Sequence, residues 1–194
     1  MKDSGKEIKA NQKKNNITTY TVPFPIDEVQ TTVNTSNKST NYLNIEEIVA
    51  QAFELHSQGN LSEAEVLIRK AIEIHPDSAE AHVNLGIILK DLKQLKKAEL
   101  SIRKAIQLKP DYINAYTKLA TIFSIQGETK KAELTIKKAI TINPNSANLY
   151  YTLGNILKKS GNLKEAEIST LKAIKLNPEL ALAYYSLGKI YKDM

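Results

Sequence analysis

The chain has 194 residues, a net charge of +6 and no cysteine, and 42% of its residues are hydrophobic. The lack of cysteine excludes disulfide bonds and cysteine-bound metal sites. No stretch is apolar and long enough to span a membrane, and the first residues lack the apolar core of a secretory signal. We therefore predict one folded domain with a tail, located in the cytoplasm and without a membrane partner.

Residues 1–43 differ in composition from the rest of the chain. They are rich in Asn, Thr, Lys and Ser and have no helical period, so we predict a disordered N-terminal tail. Within the tail, apolar side chains alternate with others at Tyr20, Val22, Phe24 and Ile26. An extended chain would place all four on one side. Two hypotheses stay open: a chance apolar patch, or a short peptide that docks in a groove.

A period of 34 residues governs the sequence after the tail, and the segment Ala79–Tyr112 sets its register. The residues that recur in phase are one proline column (Pro76, Pro110, Pro144, Pro178), two alanine columns (Ala64, Ala98, Ala132, Ala166 and Ala71, Ala105, Ala139, Ala173), one leucine column (Leu85, Leu119, Leu153, Leu187) and one column of small residues (Ala52, Gly86, Ala120, Gly154, Gly188). A sustained period of this length indicates an array of repeated supersecondary units.

The pattern of small, apolar and proline positions resembles the tetratricopeptide repeat, in which each unit is a pair of antiparallel helices. The resemblance covers residues 44–194 and implies an all-α fold, an α-solenoid of four helix pairs and a terminal helix. We divide the array into units at 45–78, 79–112, 113–146 and 147–180, with a half unit at 181–194. The resemblance fixes no activity, because the function of a repeat scaffold lies on surfaces that differ between members.

The period also predicts where the first helix of each unit ends. Gly59, Gly127 and Gly161 follow these helices and can take the left-handed conformation of a helix C-terminus without a steric penalty. Lys93 holds the equivalent place in the second unit, so the second unit departs from the pattern. If its backbone takes the same conformation, it does so with some strain.

Polar residues predict the helix starts and some exposed ion pairs. The N-caps expected for the first helices are Asn44, Asp77, Asp111 and Asn145. Ser62 with Glu65 has the spacing of a capping box for a second helix. Ion pairs at (i, i+4) spacing are expected at Glu65–Arg69, Glu99–Arg103 and Glu133–Lys137.

In the family, positions 2, 5, 9 and 12 of the first helices line a concave groove that binds peptides. Counted from the start of each unit, these positions are acidic and apolar at one end of the array and aromatic and basic at the other. Tyrosine and lysine together can hold an extended peptide and attract acidic groups. The candidate peptide-binding residues at or beside these positions are Val49, Phe53, Val83, Asn84, Ile87, Lys118, Tyr151, Asn155, Lys158, Tyr185 and Lys189.

Family members that bind chaperones grip a terminal carboxylate with a fixed set of Lys, Asn and Arg side chains. At the matching places this chain has Val49, Phe53, Asn84, Asn114 and Lys118. Only Asn84 and Lys118 fit the pattern. The resemblance therefore implies a peptide site without this carboxylate clamp, and we do not expect chaperone binding.

Other classes of function are disfavoured. Lysines recur at position 26 among glutamates, which is typical of a solvated face and not of a nucleic-acid site: Lys70, Lys104, Lys138 and Lys172. His56, His75 and His82 share no (i, i+4) face with a carboxylate, so we predict structural roles and no metal. No nucleophile elbow or phosphate loop is present, so we predict a non-enzymatic chain without a cofactor.

The leading hypothesis is a bacterial scaffold or adaptor that binds another protein through an extended peptide or a terminal segment. A second hypothesis is an accessory module of a glycosyltransferase system that acts in trans. It rests on Asn84–Gly86, which is similar to repeats that precede the catalytic domain of O-linked N-acetylglucosamine transferases. A third is a truncated paralogue with little function. Two further hypotheses are docking of Phe24 in the groove of its own chain and self-association through the C-terminal helix, where Ile190 and Met194 are apolar.

Overall fold

The computed structural model describes residues 44–194, which form nine α-helices and no β-strand. The helices are α1 Ile45–Ser57, α2 Leu61–Ile74, α3 Ala79–Asp91, α4 Leu95–Leu108, α5 Ile113–Ile125, α6 Thr129–Ile142, α7 Ala147–Lys159, α8 Leu163–Leu176 and α9 Ala181–Asp193. We call the odd-numbered helices the first helices and the even-numbered ones the second helices. The predicted all-α solenoid is confirmed. The tail predicted at residues 1–43 lies outside the described residues.

The loops within the units use a left-handed residue where the period predicts one. The backbone φ is +85° at Gly59 and +81° at both Gly127 and Gly161. It is +63° at Lys93, which is the one non-glycine residue with positive φ in residues 44–194. The backbone of Lys93 is therefore held in a conformation that disfavours any residue with a Cβ.

The first helices start one residue later than predicted in three units. The N-caps of α3, α5 and α7 are Ser78, Tyr112 and Ser146, so the prediction of Asp77, Asp111 and Asn145 was wrong. A residue before proline is sterically kept out of the helical region, and His75 accordingly has φ −129° and ψ 81°. The proline and the residue after it then form a turn, which delays the helix by one position.

The other predicted polar contacts are partly confirmed. Asn44 caps α1, with its Oδ1 accepting the Glu46 amide at 3.4 Å. Ser62 lies inside α2, whose N-cap is Asn60, so the predicted capping box was wrong. The three predicted (i, i+4) ion pairs are present at 2.7, 2.8 and 2.5 Å: Glu65–Arg69, Glu99–Arg103 and Glu133–Lys137.

The small residues allow the helices of a unit to approach closely. Both alanine columns have 0% exposure in every unit. A Cβ built on Gly86 would lie 2.4 Å from Ile102 Cδ1, and one on Gly154 would lie 2.3 Å from Thr170 Oγ1. A side chain at either glycine would therefore force a neighbouring side chain to shift, which agrees with the column of small residues in the period. Gly188 in α9 differs, since nothing in residues 44–194 lies within 4 Å of such a Cβ.

Each helix packs against its neighbours in sequence, and the first helices also contact one another, α3 with α5, α5 with α7 and α7 with α9. No pair of second helices within residues 44–194 makes a comparable contact. The first helices thus lie side by side along one face of the array. That face carries the candidate site residues and is called the groove face below.

Candidate functional site

The structure brings the candidate residues to the groove face with different degrees of exposure. Val49, Phe53, Ile87, Lys118, Tyr151, Asn155 and Lys158 are half-buried, whereas Tyr185 and Lys189 are exposed. Val83 is 1% exposed and forms the wall beneath the surface. Val83 therefore supports the groove and offers no area for a ligand to touch.

The N-terminal part of the groove face is a narrow apolar notch with one polar group. The notch has a volume of about 20 Å³ and is lined by Phe53, His56, Asn84, Ile87 and Ile88 with neighbouring core residues. Such a volume admits about one water molecule. Asn84 is 4% exposed, and its Nδ2 has no hydrogen-bond partner among the described residues. The notch thus contains a buried donor that lacks an acceptor.

An ion-paired cluster lies beside this notch. His56 Nε2 is 2.9 Å from Asp91 Oδ2, and Lys90 Nζ is 2.9 Å from Asp91 Oδ1. Partial burial alone would raise the pKa of Asp91, but the hydrogen bonds from His56 and Lys90 and their charges outweigh it and lower this pKa. The cluster joins α1 to α3 and confirms a structural contact for His56.

Lys118 is a half-buried cation in the middle of the groove face. Burial lowers its pKa, the nearby charge of Lys90 lowers it further, and Asp91 partly opposes them. Within residues 44–194 it forms no ion pair, since both oxygens of Asp91 are engaged by His56 and Lys90. Lys118 can therefore accept an added carboxylate without first losing a partner.

The C-terminal part of the groove face is an open polar cleft. It has a volume of about 360 Å³ and lies between α7 and α9, with Tyr151, Asn155, Lys158, Tyr185 and Lys189 in its lining. The structure thus brings five of the candidate residues together. A cleft of this size is large enough for several atoms of a peptide side chain and backbone.

Two contacts orient the side chains of this cleft. Ser186 Oγ donates to Asn155 Oδ1 at 2.6 Å, which leaves the Asn155 amide nitrogen as a donor. Lys158 Nζ lies 3.1 Å from Asp193 Oδ2. Asp193 therefore neutralises part of the positive charge on one side of the cleft.

Lys189 and Tyr185 interact on the exposed side of the cleft. Lys189 Nζ lies 4.4 Å from the centroid of the Tyr185 ring. Hydrogen bonding and the charge of Lys189 lower the pKa of Tyr185, and the same contact raises the pKa of Lys189. The pair keeps a full positive charge at this end of the groove face at neutral pH.

Asp91, Asp193 and Ser186 were not predicted from the sequence. A regular spacing in the sequence indicates the first two. His56 pairs with Asp91 and Lys158 pairs with Asp193, and the partners in each pair are 35 residues apart. Lys159 donates to the Ser124 carbonyl at the same spacing. Position 12 of one unit thus contacts position 13 of the next. Opposite charges at this spacing predict ion pairs between successive units.

The structure offers no site for catalysis by a metal within residues 44–194. No group of three or more His, Cys, Asp or Glu side chains in that range could hold a metal ion. None of the helices described is both long and apolar enough to cross a membrane. What the groove face does combine is buried amide and lysine donors, an apolar notch and a basic aromatic cleft.

Sequence models of one family match most of the array. Models described as tetratricopeptide repeat match residues 55–122, 113–146 and 135–168. No curated protein matches the sequence. The family models therefore carry the assignment from sequence.

Several solved structures share the fold. MamA from Desulfovibrio magneticus RS-1 is 20% identical, with a TM-score of 0.65 over 76% of this chain and 84% of that one. YrrB, a protein of the same repeat class with an unusual peptide-binding site, is 23% identical, with a TM-score of 0.59 over 78% of each chain. A repeat protein from Parabacteroides merdae is 22% identical, with a TM-score of 0.66 over 77% of this chain and 59% of that one.

Proposed function

The chain belongs to the tetratricopeptide repeat family, and we propose that it is a non-enzymatic scaffold whose groove face binds an extended segment of another protein. The family fold supports a role in protein–protein interaction in general. The peptide-binding site named for YrrB supports a peptide as the ligand. On the groove face the residues differ from unit to unit, so this face can carry the specificity of binding.

The observation that carries the proposal is the Asn84 side chain. Its Nδ2 is buried in the notch without a partner among the described residues. A buried donor without an acceptor costs roughly 1–3 kcal/mol, and a backbone carbonyl of a bound peptide would supply the acceptor.

The order of apolar and basic side chains along the groove face indicates which peptide sequence would fit. Phe53 and Ile87 offer apolar surface at one end, Lys118 lies in the middle, and Lys158 with Lys189 lies at the other end. An apolar side chain followed by acidic side chains matches this order. Peptide carbonyls between them would accept hydrogen bonds from the amides of Asn84 and Asn155.

Selection from a random peptide library tests this function. Phage-displayed 12-residue peptides are selected on the full chain, and the affinity of the best sequence is measured by titration calorimetry. We expect acidic residues next to an apolar one. The double variant Lys158→Glu/Lys189→Glu should lose affinity by about tenfold or more, because it places like charges opposite the acids.

A matched control introduces the same charges elsewhere. Lys164 and Lys175 are exposed on the second helix α8, and Lys164→Glu/Lys175→Glu should bind the selected peptide as the wild type does. If both double variants bind equally well, the cleft between α7 and α9 is not the site. Selected peptides without acidic residues would likewise contradict the proposal.

The glycosyltransferase hypothesis has weak support on the surface of the array. The residues that suggested it, Asn84–Gly86, are all buried, with Leu85 5% exposed and Gly86 packed against Ile102. Packing within a unit is sufficient to explain Leu85 and Gly86. A transferase role in trans stays a prediction, to be tested by adding the chain to a transferase of the native host.

Self-association through α9 also stays a prediction. Tyr184, Tyr191 and Met194 are 50%, 53% and 60% exposed, so the helix presents apolar area. Ile190 is 0% exposed and is not part of that surface. Sedimentation equilibrium of the full chain and of Tyr184→Ser/Tyr191→Ser would test whether this surface joins two copies.

A further inference from the structure

A second cleft lies on the side of the array away from the groove face. It has a volume of about 420 Å³ and is bounded by α4, α5 and α6. Its α5 residues are Tyr116, Leu119 and Phe123, at unit positions 4, 7 and 11. At 100° per residue these positions face opposite to positions 2, 5, 9 and 12. We call it the outer cleft.

The floor of the outer cleft is apolar and its rim is basic. Phe123 is 2% exposed, and the cations of Arg103 and Lys131 lie 5.5 and 5.6 Å from its ring centroid. Lys138 completes the rim, and Leu134 is 55% exposed beside it. Among residues 44–194, no acidic residue lines the cleft. An apolar floor with cations around it suits a ligand that is apolar in the middle and acidic at its edges.

Two of the three rim cations already pair with acidic side chains, and the third does not. Arg103 pairs with Glu99 at 2.8 Å, and Lys131 pairs with Glu128. Lys138 forms no ion pair within residues 44–194. It is exposed, so a carboxylate can pair with it without displacing another group. Lys138 is therefore the natural anchor for an acidic ligand.

The equivalent places one unit earlier and one unit later are different. Gln107 in the outer cleft corresponds to Glu73 in the preceding unit, and Lys131 corresponds to Glu165 in the following unit. Phe123 corresponds to Leu89 and Leu157. The rim cations recur one unit earlier as Arg69, Lys97 and Lys104. What is confined to the junction of the second and third units is the aromatic floor without an acidic residue at these places. The repeat alone does not require it.

We propose that the outer cleft is a second docking site, for a short acidic peptide segment with an aromatic side chain at its centre. The aromatic side chain packs on the exposed Leu134, and the acidic side chains pair with Lys138 and the rim. A nucleic-acid strand fits less well, because its phosphates would continue past the cleft onto Glu73 and Glu165. The site is separate from the groove face, so the chain can join two segments at once.

The test uses the full chain labelled for NMR and a terminally blocked peptide Ser-Asp-Glu-Phe-Asp-Glu-Ser. We expect shifts of the Leu134 methyl groups and the Thr135 amide that saturate on titration, separately from any at Tyr185. The peptide in which every acid is replaced by its amide should bind at least about fivefold more weakly. Oligothymidylate is added in a parallel titration as the nucleic-acid probe.

Matched variants test whether the peptide binds at the outer cleft. Lys138→Glu should weaken binding by about tenfold, whereas Lys172→Glu, at the same position one unit later, should change it less than about twofold. Leu134→Ala should weaken binding several-fold, and Leu100→Ala, 69% exposed at the same position one unit earlier, should not. Absence of shifts at Leu134, equal effects of both lysine variants, or tighter binding of oligothymidylate would each overturn the proposal.

Discussion

The two faces of the first helices follow different rules. On the buried face, alanine or isoleucine recurs from unit to unit, as in Ala81 and Ala115 or Ile88 and Ile122, each at most 4% exposed. On the groove face no residue type is kept in every unit. At position 5, for example, the residue changes from valine to threonine to tyrosine along the array. The buried face carries the fold, because close helix packing accepts few side chains. The groove face is free to vary and so can carry the specificity.

This difference separates the expected effects of substitutions. A change on the buried face should alter the free energy of unfolding, since it adds or removes packed volume. A change at an exposed residue of the groove face should alter binding and leave that free energy almost unchanged. Any residue that alters both would show that the two faces are not independent.

The largest effect is expected from overpacking an alanine column. Ala105 is 0% exposed in α4. Ala105→Leu should lower the free energy of unfolding by about 1–3 kcal/mol, because the added side chain has no room between the helices. Denaturant unfolding followed by circular dichroism measures it. Lys104→Leu adds the same side chain at the exposed neighbouring position and should stay within about 0.5 kcal/mol of wild type.

A smaller effect is expected on the groove face. Tyr185 is 64% exposed, so Tyr185→Ala should leave the free energy of unfolding within about 0.5 kcal/mol of wild type. The same substitution should weaken the selected acidic peptide by roughly fivefold, since it removes the ring that holds Lys189 in place. Tyr184→Ala, 50% exposed on the same helix but outside the cleft, is the control for binding. Equal losses in both variants would argue against the cleft.

Relief of strain at Lys93 should stabilise the fold. With φ at +63°, Lys93→Gly should raise the free energy of unfolding by roughly 0.5–1 kcal/mol. Lys96→Gly, in the exposed first turn of α4, introduces glycine without relieving any positive φ and should lower it. A loss of stability in Lys93→Gly would mean that contacts of the lysine outweigh the strain.

The smallest effect is a pH dependence that comes from the Asp91 cluster. The pKa of Asp91 is lowered in the folded chain, so its contacts with His56 and Lys90 stabilise the fold at neutral pH and lose that contribution as pH falls below about 4. The wild type should therefore have the higher free energy of unfolding at neutral pH, and its difference from Asp91→Asn should disappear between about pH 5 and pH 2. Asp77→Asn, an exposed residue without an ion pair in residues 44–194, should show no such change. A constant difference between wild type and Asp91→Asn would contradict the assignment.

The sequence was sufficient to predict the fold, because the 34-residue period places small residues at the same packing positions in every unit. It located the loop position at which Gly59, Gly127 and Gly161 take a left-handed backbone, and the columns of small residues that the helices bury. It failed at the helix starts, where the turn after proline shifts the cap from Asp77 to Ser78. Local steric preferences decide that position, and the polarity of the side chain does not.

The sequence was less informative about the site. It named residues on the groove face, but not that Val83 is covered or that the Asn84 amide lacks an acceptor. It also missed the ties of His56 with Asp91 and Lys158 with Asp193. These features depend on how successive units are placed against each other, which the pattern within one unit does not determine.

The position of a bound peptide tests the central claim most directly. A peptide selected on the full chain is labelled with a nitroxide at its acidic end, and line broadening is measured by NMR. Broadening of amide signals in α7 and α9 is expected, together with broadening in α1 and α3 when the label is moved to the apolar end. Broadening confined to the second helices α2, α4, α6 and α8 would contradict the claim that the groove face binds the peptide.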